Sequence, residues 1–462
     1  MRKSTSLLAL LALLLSACSA PPPQPPPALE LAPGWKGAAP AGWVCAGDGR
    51  RWQEGRWWEL FQDQGLSALM PRVEVGNQNL QLAAANYAQA QALAAQARAQ
   101  LLPTLGLQAS AQRSGEPARG SASVGLAASW APDLWGRLAE AARAQGALVR
   151  ASEAQLAAAR LAAQAGLAQS YLALREADAE IALMDEIIDG YERAQAITDN
   201  RYRAGIAAHT DLLQAQNTLA SARATRAGLR RVRDLSEHAI ALLLGSTPAQ
   251  FALAPAAWAG VTPQVPPQLP SELLLRRPDV AAAQQQVEAA NAQIGVARAA
   301  WFPSLNLNAG LGAGAASLAE VWSAPVLAWS LGAALAQAMF DGGARSAAIA
   351  QARAAHLGAS ANYRQAALAA IGQVEDQLAT LAALAEQQAH QRVAADAAMG
   401  AEERMSNAYR AGTVAYTNVV SAQASSLGAR RQLLQLALQR QQAALALVQA
   451  LGGGWQPSWA TP

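Results

Sequence analysis

Reactive side chains are few in this chain, and one of them stands in a pattern that specifies a reaction. Cys18 follows a positively charged start and an apolar run, Leu7–Leu15, and small residues come directly before it. This order is typical of a bacterial lipobox, in which the cysteine thiol is diacylated and the new amine is acylated after cleavage. We therefore expect residues 1–17 to be a lipoprotein signal peptide and Cys18 to carry the lipid, with no other cofactor.

The residues after Cys18 indicate where that lipid holds the chain. Ser19, rather than an aspartate, favours transport to the outer membrane, and several acyl chains make a lasting anchor. The Pro-rich stretch Pro21–Pro27 predicts an extended tether. An ordinary signal peptide that ends near a cysteine by chance is the alternative interpretation.

Other kinds of chemistry have no pattern in the sequence to support them. The histidines lack the spacing of metal ligands, and we find no nucleophile with a base and no phosphate-binding glycine loop, so we expect neither a metal nor an enzyme. Cys45 has no partner once Cys18 is lipidated, which excludes a disulfide framework. Removing Arg2 and Lys3 with the signal peptide lowers the formal net charge from +3 to +1, so no nucleic-acid partner is expected.

The composition predicts long, closely packed helices. Hydrophobic residues make up 52% of the chain but aromatic residues only 5%, because much of the apolar content is alanine. Alanine is the best helix former and lets helices approach closely. After the signal peptide no run of about 18 apolar residues follows, so the chain either lies on the membrane or spans it with strands.

The chain repeats itself at a spacing of about 200 residues, too long for a solenoid, which indicates two similar halves. Leu101–Leu107 matches Trp301–Leu307, and Arg203-Ala204-Gly205 matches Arg410-Ala411-Gly412. After the signal peptide the predicted divisions are a tether and N-terminal segment, 18–60, a first repeat, 61–260, a second repeat, 261–450, and a tail, 451–462.

Each half is predicted to contain three helices. The first helix is expected at about 66–100 and 278–300. The second is expected at about 136–203 and 344–410, and the third at about 210–244 and 415–450. At 1.5 Å per residue, the second helix would be roughly 100 Å long, on the scale of a bacterial periplasm.

Between the first and second helices, each half has two segments in which apolar residues alternate with small or polar ones. The length and period fit tilted membrane strands, although a soluble sheet that is packed on one side gives the same alternation. Trp130, Trp301 and Trp329 near the ends favour the membrane. The predicted strands are 105–111, 121–130, 305–312 and 327–336.

Four strands per chain cannot close a barrel, and an open edge cannot lie in lipid. Two copies would give eight strands, whose side chains fill the interior, whereas three would give twelve and leave a lumen. A water-filled pore therefore requires at least a trimer. The predicted fold class is mixed α and transmembrane β: a trimeric twelve-stranded barrel that is continuous with a long α-helical barrel.

Several motifs, weak alone but specific in their order, carry a resemblance over nearly the whole chain. The chain resembles the TolC-like outer-membrane factors, specifically the efflux lipoproteins (NodT subfamily) that partner resistance-nodulation-division pumps. The motifs are Trp57–Asp63, Asp133–Arg137, Leu275–Val280, Asn291–Arg298, Phe340–Arg345 and Gln373–Asp376.

The resemblance implies a homotrimer in the outer membrane that extends into the periplasm. It also implies docking of a periplasmic adaptor protein, which links the channel to a proton-driven inner-membrane pump. The channel would conduct drugs or other toxic compounds passively. A duct for type I protein secretion is the alternative function; a soluble scaffold lipoprotein and an envelope enzyme are the alternatives from other classes.

The resemblance also implies roles for the turns that join the long helices. Gly205 and Gly412 are predicted C-caps, and with Arg203 and Arg410 they would form the periplasmic tips that contact the adaptor. The residues of the predicted gate, which would hold the tunnel shut, are Tyr202, Thr210, Asp211, Tyr409 and Asn418. Capping of the returning helix by Thr210 or Asp211 is the simpler explanation of those two residues, and Asn418 departs from the acid found in some family members.

Overall fold

The computed structural model of the chain describes residues 34–36, 55–115, 119–258, 260–263, 276–323 and 326–459. The predicted signal peptide, the lipidation at Cys18, the Pro-rich tether and Cys45 lie outside the described residues. Among the described helices, none combines the length and the apolar content needed to cross a membrane.

The helices and strands follow the predicted order. The helices are α1 (Gln64–Gly76), α2 (Gln78–Ala99), α3 (Arg137–Arg203), α4 (His209–Leu243), α5 (Pro278–Ala299), α6 (Leu318–Ser323), α7 (Ala344–Arg410) and α8 (Tyr416–Ala450). The strands are β1 (Thr104–Ser114), β2 (Arg119–Trp130), β3 (Ser304–Ala315) and β4 (Val326–Ala336). Short 3-10 helices lie at Trp57–Phe61 and Pro248–Gln250.

The described residues divide into two compact units. The sheet unit contains residues from 84 to 154 and from 280 to 366. The helical unit contains residues from 34 to 83, from 155 to 279 and from 367 to 459.

The sheet unit contains one antiparallel sheet with the strand order β1-β2-β3-β4, so the strands of both halves form a single sheet. Its register keeps the alternating pattern in phase across all four strands. One row across the sheet consists of Leu107, Leu126, Leu311 and Trp329, which are consecutive partners. All four strands therefore place their apolar residues on one shared face.

Most of that apolar face is not covered within the described chain. Leu331, in the middle of β4, is 77% exposed, and Leu107 in β1 is equally open. The outer edges of β1 and β4 pair with no strand among the described residues. The sheet thus has an apolar surface and two open edges that need a partner or lipid.

Aromatic residues pack at the end of the sheet where the chain passes between the strands and the helices. The Trp135 ring stacks on Phe302 with centroids 4.9 Å apart, and its Nε1 donates to the Pro303 carbonyl oxygen. Arg345 lies 4.7 Å over the Trp301 ring and bonds Asp341 at 2.6 Å, across the bend that leads into α7.

In the helical unit, one predicted helix is divided. The expected helix at 66–100 is two helices, because Asn77 breaks it and its Oδ1 accepts hydrogen bonds from the backbone of Asn79 and Leu80. Asn77 also donates to the Leu243 carbonyl oxygen at the end of α4. In the second half, Arg277 does the same to the Ala450 carbonyl oxygen at the end of α8. The prediction of one continuous first helix is therefore wrong in the first half.

Candidate functional site

The first turn of interest, in the helical unit, joins α3 to α4 through Gly205. The Gly205 amide donates to the Tyr202 carbonyl oxygen at 2.9 Å, and the Ile206 amide donates to that of Arg201 at 2.8 Å. These two bonds define a Schellman cap, in which the residue after the helix takes a left-handed conformation. Gly205 has φ +73°, and a Cβ there would meet nothing within 4 Å, so the backbone angle rather than space requires glycine.

The second turn, between α7 and α8, repeats this geometry. Gly412 has φ +78°, and its amide donates to the Tyr409 carbonyl oxygen at 2.9 Å. The Thr413 amide and hydroxyl both donate to the Ala408 carbonyl oxygen at 3.0 Å. The predicted C-cap glycines are confirmed in both halves.

The returning helices begin without a side-chain cap, which corrects the capping hypothesis for Thr210 and Asp211. The N-cap positions are Ala208 and Ala415, and neither has a side chain that could accept a hydrogen bond. Helix α4 begins at His209, close to the predicted start, so Asp211 lies in its first turn. A carboxylate in a first turn is favoured by the helix dipole. Asn418 takes the matching place in α8, where the first turn has no acid.

An aromatic pair joins the two helices at each turn. The Tyr202 and His209 rings are 5.1 Å apart at the first turn, and the Tyr409 and Tyr416 rings are 5.2 Å apart at the second. Tyr202 is exposed, whereas Tyr416 is buried in a cluster with Val419 and with residues of α4 and α7. The two turns thus share a backbone but differ in how deeply they are packed.

Arg201 links the end of α3 to the end of α7. Its guanidinium lies 4.9 Å over the Tyr409 ring, and its Nη1 donates to the Tyr409 carbonyl oxygen at 3.3 Å. Sequence reasoning missed Arg201, although the repeat contained a clue: the matching position in the second half is Ala408. An arginine in only one of two similar turns suggests a contact that the other turn does not make.

The predicted tip arginines stay on their own helices. Arg203 pairs with Asp199 at 2.8 Å, and Arg410 donates to the Asn407 side-chain oxygen at 3.4 Å. Both arginines and both turn glycines are exposed. The four predicted tip residues are therefore accessible from solvent in the protomer.

Asp211 is available for contacts outside the protomer. Within the described residues, its carboxylate takes part in no hydrogen bond or ion pair. Burial raises the pKa of Tyr416 to about 12, and the nearby Tyr409 and Asp211 add to the rise. Tyr416 is therefore neutral at physiological pH. The Tyr409 hydroxyl is buried and has no hydrogen-bond partner in the described part of the chain.

No group of His, Cys, Asp or Glu in the described parts of the chain could hold a metal ion. The site is therefore a matter of exposed backbone, aromatic contacts and charge.

Comparison with known proteins identifies the relatives of this chain. The outer membrane efflux protein family matches residues 69–246 and 269–453. The chain belongs to that family. The pyoverdine export outer membrane protein OpmQ of Pseudomonas aeruginosa is 33% identical over 91% of the chain and 92% of OpmQ. The cation efflux system protein CusC of Escherichia coli O6:H1 is 30% identical over 88% of the chain and 89% of CusC.

A solved structure extends the likeness to the fold. The outer-membrane channel OprN is 28% identical, with a TM-score of 0.85 over 93% of the chain and 99% of OprN. The predicted fold class, one protomer's share of a trimeric β-barrel continuous with an α-helical barrel, is therefore confirmed. The chain is an outer-membrane efflux channel, and these relatives favour efflux over type I protein secretion.

Proposed function

We propose that the chain is the exit duct of a tripartite efflux pump, working as a homotrimer that is anchored by diacylglycerol and N-acyl groups on Cys18. A periplasmic adaptor protein would join it to an inner-membrane resistance-nodulation-division pump, which supplies the energy. Transport through the duct is passive, and no catalytic step belongs to this proposal.

The observation that carries the proposal is the open sheet. Its apolar face is exposed, and β1 and β4 are both edges within the described chain. Unpaired backbone groups are costly in lipid, so each edge needs a strand from another copy. Three copies give twelve strands, which is enough for a barrel with a lumen.

The accessible turns support the docking part of the proposal. Gly205 and Gly412 expose backbone with no side chain above it, which allows a partner to approach closely. Arg203 and Arg410 place a positive charge beside each glycine. An adaptor surface with small apolar residues and acidic groups would match both tips.

The gate part of the proposal rests on the chemistry around Asp211. Three copies would bring three Asp211 carboxylates to the periplasmic end, with the exposed Tyr202, Thr210 and Asn418 as polar neighbours. Tyr409, whose hydroxyl is buried, would contribute through its packing on Tyr416. Arg201 holds Tyr409 in place and belongs to the same group. Because Asn418 is uncharged, each protomer contributes one acid in these first turns rather than two, which weakens cation selectivity.

The relatives support a small-molecule or ion cargo without specifying one. OpmQ is named for pyoverdine export and CusC for cation efflux, although the chain resembles both to a similar degree. We infer that the pump selects the cargo and that this duct accepts antibiotics, other toxic compounds or metal ions from it.

Purified full-length protein tests the assembly. In detergent we expect a mass of three chains, and in planar bilayers we expect ion conductance. A water-soluble monomer without conductance would contradict the proposal. Mass spectrometry of the mature N-terminus should show an acylated Cys18, and Cys18→Ala should lose that mass.

Asp211→Ala tests the gate. Removing the acid from the periplasmic end should raise the resting conductance several-fold, because the contacts that hold the aperture shut are lost. Asn418→Ala is the matched control at the second turn, and we expect a smaller change from it. Equal conductance in the wild type, Asp211→Ala and Asn418→Ala would show that Asp211 is not part of the gate. The proposed channel itself would not be contradicted by that result.

A further inference from the structure

The connection between β3 and β4 contains the short helix α6, at the end of the sheet opposite Trp130. Val321 in this helix is buried, with 4% of its surface exposed, whereas the next residue, Trp322, is 78% exposed. Helix α6 therefore packs Val321 against the sheet and leaves the indole of Trp322 open to its surroundings.

The glycine at the start of β2 shows which face of the sheet this connection covers. Gly120 lies on the same face as Ala122, Val124 and Leu126, because side chains alternate along a strand. A Cβ added at Gly120 would lie 2.5 Å from the Ala316 carbonyl oxygen. The chain that leaves β3 thus comes close to the apolar side of β2 at Gly120.

Two further observations agree with this placement. Helix α6 contacts β2 and β3, the two central strands. Ala122, on the apolar face, is 4% exposed, although Leu126 farther along the same face is open. The connection covers the apolar face at its outer end and leaves the rest of that face uncovered.

We propose that segment Ala316–Ser323 is a membrane-interface anchor on the outside of the barrel, with Trp322 among the lipid headgroups of the outer leaflet. The proposal rests on the proposed function, because it requires that the apolar face of the sheet meets lipid. Indole rings favour the headgroup level, where their apolar body and their N–H are both accommodated.

A positive charge accompanies the indole on the same face. Arg113 is the strand partner of Gly120, it is exposed, and it lies on the apolar side of β1. An arginine at this height can extend to a phosphate of an anionic lipid headgroup. Glu320 is the acid of helix α6 and is also exposed. Trp322 and Arg113, rather than Glu320, make the headgroup layer the partner of this face, and in this placement the connection does not cover the mouth of the pore.

Spin labels on full-length protein in vesicles of phosphatidylethanolamine and phosphatidylglycerol test this placement. Each label is attached to a single new cysteine, Trp322→Cys, Leu331→Cys or Ser330→Cys, in a Cys45→Ser background. Leu331 and Ser330 are neighbours on opposite faces of β4, so they calibrate the lipid and the lumen. We expect the ratio of oxygen to nickel-chelate accessibility at position 322 to fall between them and several-fold above the value at 330.

The outcomes separate this inference from the function on which it rests. If the label at 331 contacts lipid but the label at 322 is as accessible to nickel as the label at 330, the proposed interface anchor is wrong. The proposed channel function is not contradicted by that result. If the label at 331 is in water, the spanning sheet itself is wrong. Bulky polyethylene glycol attached at 322 should leave conductance unchanged, whereas at 330 it should lower it; a fall at 322 would place helix α6 in the mouth.

A second variant tests the contact between the β3–β4 connection and the apolar face of the sheet. Gly120→Val would force Ala316 away, so the label at 322 should become several-fold more accessible to nickel while the label at 331 stays the same. Gly332→Val is the matched control, because a Cβ at Gly332 would meet nothing within 4 Å. No change with Gly120→Val would overturn the contact between the connection and the apolar face.

Discussion

The helix pairs α3–α4 and α7–α8 have the same lengths, 67 and 35 residues in each case, but differ in the chemistry between their helices. Three acids spaced seven residues apart on α3 pair with arginines of α4. The pairs are Asp178–Arg233, Asp185–Arg226 and Glu192–Arg223, with N···O distances of 2.7, 3.0 and 2.8 Å. The first pair of helices is therefore joined by a row of ion pairs.

The second pair of helices has no such row. The matching positions in α7 are Ala385, Arg392 and Met399, and no ion pair joins α7 to α8 among the described residues. One link between them is a hydrogen bond from Gln391 to the Ala429 carbonyl oxygen at 3.2 Å. Two arginines of α8 bond instead to acids of α3.

The difference shows that the ion pairs do not determine the shape of a helix pair. The partly exposed pairs Asp185–Arg226 and Glu192–Arg223 contribute about 1 kcal/mol or less each. Because the second helix pair forms without any such row, apolar packing must hold both helix pairs together. Met184, Ile188 and Leu219 form part of such a core between α3 and α4. The two halves differ instead in their ion pairs. Helix α3 forms ion pairs with both α4 and α8, whereas no ion pair joins α7 to α8 among the described residues.

The largest expected difference in stability between the halves comes from the residues that directly precede α2 and α5, Asn77 and Arg277. Arg277 is 7% exposed, forms a double hydrogen bond with Asp279, and also bonds Gln373 and the end of α8. Arg277→Met removes the charge-assisted hydrogen bonds of a buried guanidinium to the half-exposed Asp279, to Gln373 and to the end of α8, which should cost about 3 kcal/mol. Asn77→Ala, the matching change in the first half, removes hydrogen bonds from a neutral group and should cost about 1 kcal/mol.

Thermal unfolding of the trimer in detergent, at one fixed scan rate, measures this prediction. We expect Arg277→Met to lower the midpoint by roughly three times as much as Asn77→Ala. The midpoint of Arg277→Lys should be close to that of Arg277→Met, because lysine cannot form the two parallel hydrogen bonds to Asp279. Equal effects of the arginine and asparagine changes would mean that the two halves begin in equivalent ways.

Local patterns predicted the regular elements well. The alternation at 105–111 and 327–336, and the glycines at 205 and 412, depend on neighbours in sequence, and each was confirmed. The break at Asn77 was missed because its reason includes a carbonyl oxygen at Leu243, which is distant in sequence. The contact of Arg201 with Tyr409 was missed for the same reason. Pairings between distant side chains need the packed structure, because periodicity only shows which face they occupy.

A smaller effect is expected from a pair of buried acids on α3. Glu176 and Glu180 are both buried, and Arg431 and Gln435 donate to the Glu180 carboxylate at 3.0 Å. Burial, together with the charge and the hydrogen bond of Glu180, raises the pKa of Glu176 to about 7 despite Arg431. The matching residues of α7 are Ala383 and Gln387, so only the first half carries this pair.

The sign of the pH dependence follows from the raised pKa. The unfolded chain loses the Glu176 proton near pH 4.5, whereas the folded chain keeps it until about pH 7. Stability should therefore fall as pH rises through this window and stay lower above it. Glu176→Gln should raise the thermal midpoint at pH 8 by about 2–4 °C and change little at pH 4. Glu186→Gln, an exposed acid of the same helix, is the control and should show no such rise at pH 8.

The smallest expected effect comes from one member of the row of ion pairs. Asp185→Asn breaks the pair with Arg226 and should cost about 0.3–1 kcal/mol at low salt. In about 1 M salt the screening length falls to about 3 Å, so the difference from wild type should shrink. Glu386 on α7 has only a distant contact with His390, 4.0 Å away. Glu386→Gln is therefore the control and should leave the stability unchanged at either salt concentration. A double-mutant cycle with Arg226→Gln isolates the pair energy. A coupling near zero at low salt would mean that the row does not stabilise the first helix pair, and the contrast between the halves would then be one of sequence alone.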